Sequence, residues 1–464
     1  MSTLTHTIAA ISTPPGKGGV SVIRISGDLA FPIAERVFKP ISGKPLSETK
    51  PRMQIYGYIV EDGERIDDVL LCRFPAPHSY TGEDTVEICC HGGVLITRCV
   101  LELLFRMGAR AAEAGEFTKR AFTNGTLSLT EAEAIGKLLD AGSREQIRLY
   151  SEPKRKLLSD RVSSIRAALV TLMSSIYARI DYPDEDLGDF SDAEVISRLN
   201  NIKEDITRLL STYRTGRAVS DGIRCAIVGK PNVGKSTIYN ILVGEDAAIV
   251  TDIPGTTRDV LTHTVPLGRA MLSLCDTAGI RECESIDTVE RIGIERSRKM
   301  LENCELLFAI FDNSREFDKE DEDILESISR TNAAKIAILN KADLDGKFDT
   351  SRLTGCFEKI ITASAKCDDE RIIAELAAVT NELMLDEKIL ASDEPIISSA
   401  RQHAALTRAL DFVNVAIESL ALGFAQDAVS SDVERALGAI AELDGEAVSE
   451  EVVGDIFAHF CVGK

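Results

Sequence analysis

Residues 229–236 read Gly229-Lys230-Pro231-Asn232-Val233-Gly234-Lys235-Ser236. The apolar run Ile223–Val228 precedes them, and a helix-forming stretch, Thr237–Leu242, follows. Strand, glycine-containing loop and helix in that order make a phosphate-binding loop. Its glycines let the backbone fold tightly, so that successive N–H groups and the helix N-terminus face phosphate oxygens. Lys235 is expected to reach the β- and γ-phosphates and Ser236 to hold Mg²⁺. Asn232, Val233, Gly234 and Thr237 belong to the same expected nucleotide contact. The competing reading, a plain glycine-rich turn, is opposed by three later motifs.

Asp276-Thr277-Ala278-Gly279 ends the apolar run Met271–Cys275. Asp276 there is expected to hold Mg²⁺ through water, and the Gly279 N–H to meet a γ-phosphate. Asn340-Lys341-Ala342-Asp343 ends the strand-like run Lys335–Leu339. A carboxylate such as Asp343 accepts two hydrogen bonds from guanine's N1–H and exocyclic amine, a donor pair that adenine lacks. A site built on such bonds discriminates strongly, since the wrong base leaves buried polar groups unpaired. Ser364-Ala365-Lys366 follows the apolar pair Ile360-Ile361 and has the form of the loop that supports the base. The nucleotide read from these motifs is GTP rather than ATP.

Between the first two motifs lies the polar, glycine-containing stretch Thr251-Asp252-Ile253-Pro254-Gly255-Thr256-Thr257-Arg258-Asp259. It fits a switch that closes over GTP, with Thr257 as the second Mg²⁺ hydroxyl. An ordinary β-connecting loop is the blander reading. Ile280 follows Gly279, where many small GTPases carry a water-orienting glutamine. Catalysis must then proceed otherwise. Asn232 offers one route, a side-chain carbonyl that joins switch carbonyls around a monovalent cation and offsets charge on the β–γ bridge. An unremarkable loop asparagine is the alternative.

Composition narrows the rest. A chain of 464 residues accommodates two to three domains. No long apolar segment and no basic-plus-apolar leader is present, so a soluble, cytoplasmic protein is expected. The eleven cysteines form no CxxC pair and read as reduced thiols, and the six histidines show no metal spacing. A net charge of −21 argues against a protein that coats nucleic acid. Acidic excess concentrates in residues 381–464, while residues 1–120 balance.

Periodicity organises the chain. Short alternating runs (Val20–Ile25, Gln54–Val60, Val69–Phe74, Thr85–Cys90) surround one helical stretch, Gly93–Met107, in residues 1–118. Helical spacing dominates 119–217, the nucleotide pattern runs over 218–379, and helical spacing returns over 380–464. The expected fold is multidomain: an N-terminal α+β domain, an α-helical domain in two parts, and an α/β P-loop GTPase domain inserted between them.

These features resemble one family over the whole chain. The GTPase motifs and the Gly255-Thr256-Thr257-Arg258-Asp259 switch carry the resemblance. So do Pro14-Pro15-Gly16-Lys17-Gly18-Gly19, Arg24-Ile25-Ser26-Gly27, Tyr80-Thr81-Gly82-Glu83-Asp84, Gly115-Glu116-Phe117 and the terminal Cys461-Val462-Gly463-Lys464. Together they look like the MnmE (TrmE) tRNA-modification GTPases. The resemblance implies a GTP hydrolase that acts with the flavoprotein MnmG (GidA) on carbon 5 of the wobble uridine of certain tRNAs. It implies an N-terminal domain similar to folate-binding one-carbon domains, which forms a homodimer and binds 5-formyltetrahydrofolate. It also implies potassium-dependent pairing of GTPase domains.

Residue by residue, Asn232 and the carbonyls of Thr251, Ile253 and Thr256 match the family's K⁺ ligands. Glu290 matches the glutamate that positions attacking water, and with Lys235 and Thr257 it forms the expected catalytic set; on its own it reads as a surface helix residue. Arg24, Glu87 and Lys464 match the folate contacts. Thr126, in Asn124-Gly125-Thr126-Leu127-Ser128-Leu129, stands where members commonly carry lysine, so a charge is missing there. Two other classes remain as alternatives: a ribosome-assembly or RNA-binding GTPase, which the lack of a basic domain opposes, and a non-catalytic folate scaffold, which the intact nucleotide motifs oppose.

Overall fold

The computed structural model describes residues 6–181, 191–244, 262–275, 301–367, 369–446, 448–458 and 460–463. By contact the chain resolves into two compact units, Met1–Gly136 with Ile440–Lys464, and Lys137–Ala439.

The first unit is built on seven strands: β1 (Ile8–Ile11), β2 (Val20–Ser26), β3 (Phe38–Pro40), β4 (Ile55–Glu61), β5 (Glu64–Phe74), β6 (Thr85–His91) and β7 (Arg110–Ala111). They pair in the order β3-β4-β5-β6-β2-β1-β7, antiparallel except for the parallel pair β1–β7. Alternation sorts the residues between the two faces. Ile23, Ile25, Ile59, Val69, Leu71, Val86 and Ile88 are buried and pack with helices Ala30–Val37 and Val94–Arg106. Each contributes on the order of 1.5–3 kcal/mol by leaving water. The intervening positions turn Arg24, Cys72, Glu87 and Cys89 to the other face. The adjacent cysteines divide as a strand requires, with Cys90 buried and Cys89 half-buried.

The second unit holds a six-stranded sheet, in the order β13-β12-β11-β8-β10-β9. Its strands are β8 (Ile223–Gly229), β9 (Thr262–Leu267), β10 (Ala270–Cys275), β11 (Leu306–Asp312), β12 (Ala334–Asn340) and β13 (Lys359–Thr362). All pairs are parallel except the β9–β10 hairpin. Central β11 is buried along its whole length, as a strand covered on both faces must be. Apart from the sheet, the unit contains helices with a three–four spacing of buried residues. Leu158, Val162, Ile165, Leu169, Leu172 and Ile176 line Glu152–Asp181, and Val195, Leu199, Ile202, Ile206 and Leu209 line Asp192–Ser211. The latter helix packs against both Glu152–Asp181 and Ala400–Ala421.

The chain enters and leaves the nucleotide-motif region at one place. Thr212 Oγ1 accepts from the Ile397 N–H at 3.1 Å, and Thr215 Oγ1 accepts from the Asp386 N–H at 3.1 Å. A Cβ at Gly216 would collide with the Ile397 carbonyl, so glycine permits this close approach. Helices Glu116–Thr123, Tyr213–Ser220 and Asp369–Met384 run straight across residues 118, 217 and 379, where sequence character changes. A change of composition marks a domain's neighbourhood, and helical periodicity continues through it.

Candidate functional site

β8 ends in the phosphate-binding loop, and helix Lys235–Val243 begins directly after it. Gly229 has φ +149° and Gly234 φ +105°. A Cβ at Gly229 would lie 2.5 Å from the Ile310 carbonyl oxygen, and one at Gly234 would collide with the Asn340 amide nitrogen. Both positions therefore require glycine. Asn232 adopts the left-handed conformation, φ +62°, and is exposed. Val233 is buried beneath the loop, while Ser236 and Thr237 are exposed at the helix start. The helix N-cap, Gly234, carries no side-chain cap, so the first N–H groups face the loop's concavity. The Lys235 ammonium lies over the loop and donates to the carbonyls of Gly229 at 2.8 Å and Lys230 at 2.6 Å. This cradle has the donors and the cationic side chain that a nucleotide's phosphates require.

The base loop converges on it. Asn340, at the end of β12, is 4% exposed. Its Nδ2 donates to the Val233 carbonyl at 2.8 Å, and its Oδ1 accepts from the Ala365 N–H at 2.9 Å. The Ala342 N–H donates to the Ala363 carbonyl at 3.1 Å. The Ser364 hydroxyl donates to Asp343 Oδ1 at 2.7 Å, and this bond first, with the Lys366 and Lys341 charges, holds the Asp343 carboxyl below the usual aspartate range. Asp343 is exposed, ionised and aimed by a buried serine, as a guanine acceptor must be. Lys341 and Lys366 flank it. Residues 229–237, 340–343 and 364–366 thus form one contiguous site. Thr251, Asp252, Ile253, Pro254, Gly255, Thr256, Thr257, Asp276, Thr277, Ala278, Gly279 and Glu290 lie outside the described residues.

A second constellation sits in the first unit. Arg24 and Glu87 are register partners across β2 and β6. Arg24 Nε and Nη2 donate to Glu87 Oε1 at 3.0 and 2.8 Å. The guanidinium also lies 5.1 Å from the Tyr80 ring centroid and 5.6 Å from that of Phe117. Three stretches distant in sequence therefore meet at one arginine. The exposed Thr126 lies against the same loop, and its hydroxyl donates to the Ala121 carbonyl at 2.7 Å.

The C-terminal tail returns to this sheet. Val462 bridges Ala114, and Ser12 Oγ donates to the Gly463 carbonyl at 3.0 Å. Gly463 has φ +100°, and a Cβ there would collide with the Ile11 carbonyl oxygen. Two independent restrictions thus select glycine in the terminal motif. Ile11 follows Ala10, the register partner of Arg24, so the tail docks one strand away from the Arg24–Glu87 pair. Lys464 lies outside the described residues.

Behind this face is a buried network absent from the sequence reading. Arg120 is 1% exposed. It donates to Glu83 at 3.0 and 3.2 Å, to Glu116 at 2.9 Å and to the His6 carbonyl at 2.8 Å. Burial pushes the Glu116 carboxyl up, but the Arg110 bond, the Glu113 N–H and Arg120 outweigh it and hold it below the ordinary range. The network ties Gly115-Glu116-Phe117 to Tyr80–Glu83 and so fixes the rings around Arg24. Its one sequence signal is the Glu116/Arg120 spacing of four on a helix.

The family described as GTP-binding protein TrmE N-terminus matches residues 7–126, and the MnmE helical domain matches residues 129–461. A tRNA modification GTPase MnmE of Moorella thermoacetica is 38% identical over 470 residues, covering 99% of this chain and 100% of the relative. One of Thermotoga maritima is 38% identical over 468 residues, with the same coverage. Among solved structures, Era in complex with MgGDPNP and nucleotides 1506-1542 of 16S ribosomal RNA aligns at 26% identity over 40% of this chain and 65% of that one, with a TM-score of 0.26. With both family descriptions matched and full-length relatives at this identity, the chain belongs to the MnmE (TrmE) family of tRNA modification GTPases.

Proposed function

We propose that the chain is a potassium-stimulated GTPase that works as a homodimer in the cytoplasm. With the flavoprotein MnmG, it modifies carbon 5 of the wobble uridine of certain tRNAs, using a one-carbon unit derived from 5-formyltetrahydrofolate. The domain organisation in this reading is the four-segment one, 1–118, 119–217, 218–379 and 380–464. No helix among the described residues is long and apolar enough to cross a membrane.

Each part of the chain has a task in this reading. Gly229 and Gly234 shape the cradle, Lys235 offsets phosphate charge, and Ser236 with Thr257 holds Mg²⁺. Asp343, aimed by Ser364, accepts guanine's two donors. Asn232, with the carbonyls of Thr251, Ile253 and Thr256, holds K⁺, which supplies the positive charge that an arginine supplies elsewhere. Glu290 positions the attacking water. Glu87 suits the N–H edge of a pterin, and Arg24 and Lys464 suit carboxylates. Because Arg24 is already neutralised by Glu87, the carboxylate of a ligand would draw on Lys464 more than on Arg24. Thr126 supplies no charge, and its hydroxyl proton is committed to the Ala121 carbonyl.

The observation that carries the reading is the docking of Gly463 on Ile11, one strand from Arg24. It seats Val462 and Gly463 against the sheet that carries Arg24 and Glu87. The test is wobble-uridine modification by the full chain and its flavoprotein partner, with GTP and with a non-hydrolysable analogue. An RNA-binding GTPase without this activity would leave the uridine unmodified in both.

A further inference from the structure

Asp312 closes β11 and is the register partner of Asn340, where the base loop starts. It ends a strand that is buried along its whole length. Its side chain is 5% exposed and fully bonded. Oδ2 accepts from the Lys341 ammonium at 2.6 Å, while Oδ1 accepts from the Ser314 hydroxyl at 2.6 Å and the Ser314 N–H at 3.0 Å. The exposed Arg315 guanidinium stands 3.4 Å from Oδ2.

Lys341 needs such a partner. Its backbone lies in the left-handed region, φ +64°, which is costly for a residue with a side chain. Its ammonium, left alone, would swing through solvent on a four-carbon stem. The following two residues are fixed by their own bonds, Ala342 N–H to the Ala363 carbonyl and Asp343 to Ser364. Lys341 is fixed by Asp312. Burial pushes the Asp312 carboxyl up, but the Lys341 ammonium and both Ser314 bonds outweigh it, so the carboxylate is charged at neutral pH. A short, charge-assisted bond from a nearly buried carboxylate is the kind that holds a flexible side chain in one place.

We propose that Asp312 is a positioning residue for guanine-nucleotide binding, which acts by holding Lys341 beside Asp343 and does not itself touch the nucleotide. The inference rests on the reading of Asn340–Asp343 as the guanine site.

The experiment is a double-mutant cycle in the full chain. GDP affinity is measured by calorimetry with Mg²⁺, together with steady-state GTP hydrolysis, for Asp312→Asn, Lys341→Met, the double variant and Asp343→Asn. Asparagine is isosteric with aspartate, and thermal unfolding of each variant reports whether it folds. Asp312→Asn should weaken GDP about tenfold, the loss expected for one charge-assisted bond. KM for GTP should rise in step while kcat changes less than about twofold, because the residue serves binding rather than chemistry. The double variant should bind within about twofold of the weaker single variant. Effects that multiply in the double variant would overturn the proposal, since Asp312 would then act independently of Lys341. So would unchanged affinity for Asp312→Asn when Lys341→Met and Asp343→Asn both weaken binding. Unchanged affinity for Lys341→Met and Asp343→Asn alike would overturn the guanine-site reading itself, and this inference with it.

Discussion

Asn340 joins the base loop to the phosphate loop: its Nδ2 donates to the Val233 carbonyl at 2.8 Å while its Oδ1 accepts from the Ala365 N–H. One buried amide thus holds three sequence motifs in register. Asn340→Ala leaves a buried carbonyl and a buried N–H without partners, at a cost of about 1–3 kcal/mol each. GTP affinity should fall at least about tenfold and the thermal midpoint should drop by several degrees. Calorimetry and a melting curve check both, and an unaltered affinity would show that the two loops are independent.

Asp343 is the residue proposed to set base choice. The unmodified chain should hydrolyse GTP and leave ATP essentially untouched, and Asp343→Asn should erode that preference by about two orders of magnitude or more. Comparable turnover of ATP and GTP by the unmodified chain would refute the assignment.

Hydrolysis should rise steeply with potassium and far less with sodium. Ile280 cannot orient water, and Asn232 stands exposed in the left-handed turn of the phosphate loop. Sodium is too small to hold the same set of carbonyls at equal cost. Rates in matched potassium and sodium buffers that agree within about twofold would remove the cation from the mechanism.

The tail should matter for folate and not for GTP. Gly463→Ala forces a Cβ against the Ile11 carbonyl at a position with φ +100°. It should undock the tail and weaken 5-formyltetrahydrofolate binding about tenfold or more, as loss of a charged contact does. Removal of Val462–Lys464 should do the same, with GTP hydrolysis within about twofold. Equal folate affinity in the truncated chain would place the tail outside that site.

Acid should loosen the first unit through Glu116. Its folded carboxyl titrates below the unfolded one, so its contribution is complete above the unfolded pKa of about 4.3 and disappears as pH falls through the lower, folded value. Glu116→Gln removes the carboxylate that Arg110 and Arg120 share, leaves Arg120 to Glu83 and the His6 carbonyl, and should cost about 1–3 kcal/mol at neutral pH. It should also flatten the loss of stability in the acid window. Urea unfolding of the two proteins at neutral pH and near pH 3–4 reports both effects.

Much of this fold was legible in the sequence. Alternation located β2, β4, β5 and β6, and glycine punctuation between an apolar run and a helix located the phosphate loop. Both signals are local, and local periodicity survives any tertiary context. The buried Arg120 was not legible, because its partner Glu83 lies thirty-seven residues away and only the fold brings them together. Asp312 was hidden for the same reason: a carboxylate at a strand end reads as a loop residue until Lys341 is seen against it. The glycine of the terminal motif was visible, but its cause, the Ile11 carbonyl, lies at the other end of the chain.

The most direct measurement of the account is wobble-uridine modification in a reconstituted reaction of the full chain, its flavoprotein partner, tRNA and 5-formyltetrahydrofolate. Modified uridine is expected with GTP and potassium, and none with a non-hydrolysable analogue or with the chain lacking Val462–Lys464. Undiminished modification in either of those two reactions, or none in the complete one, would contradict it.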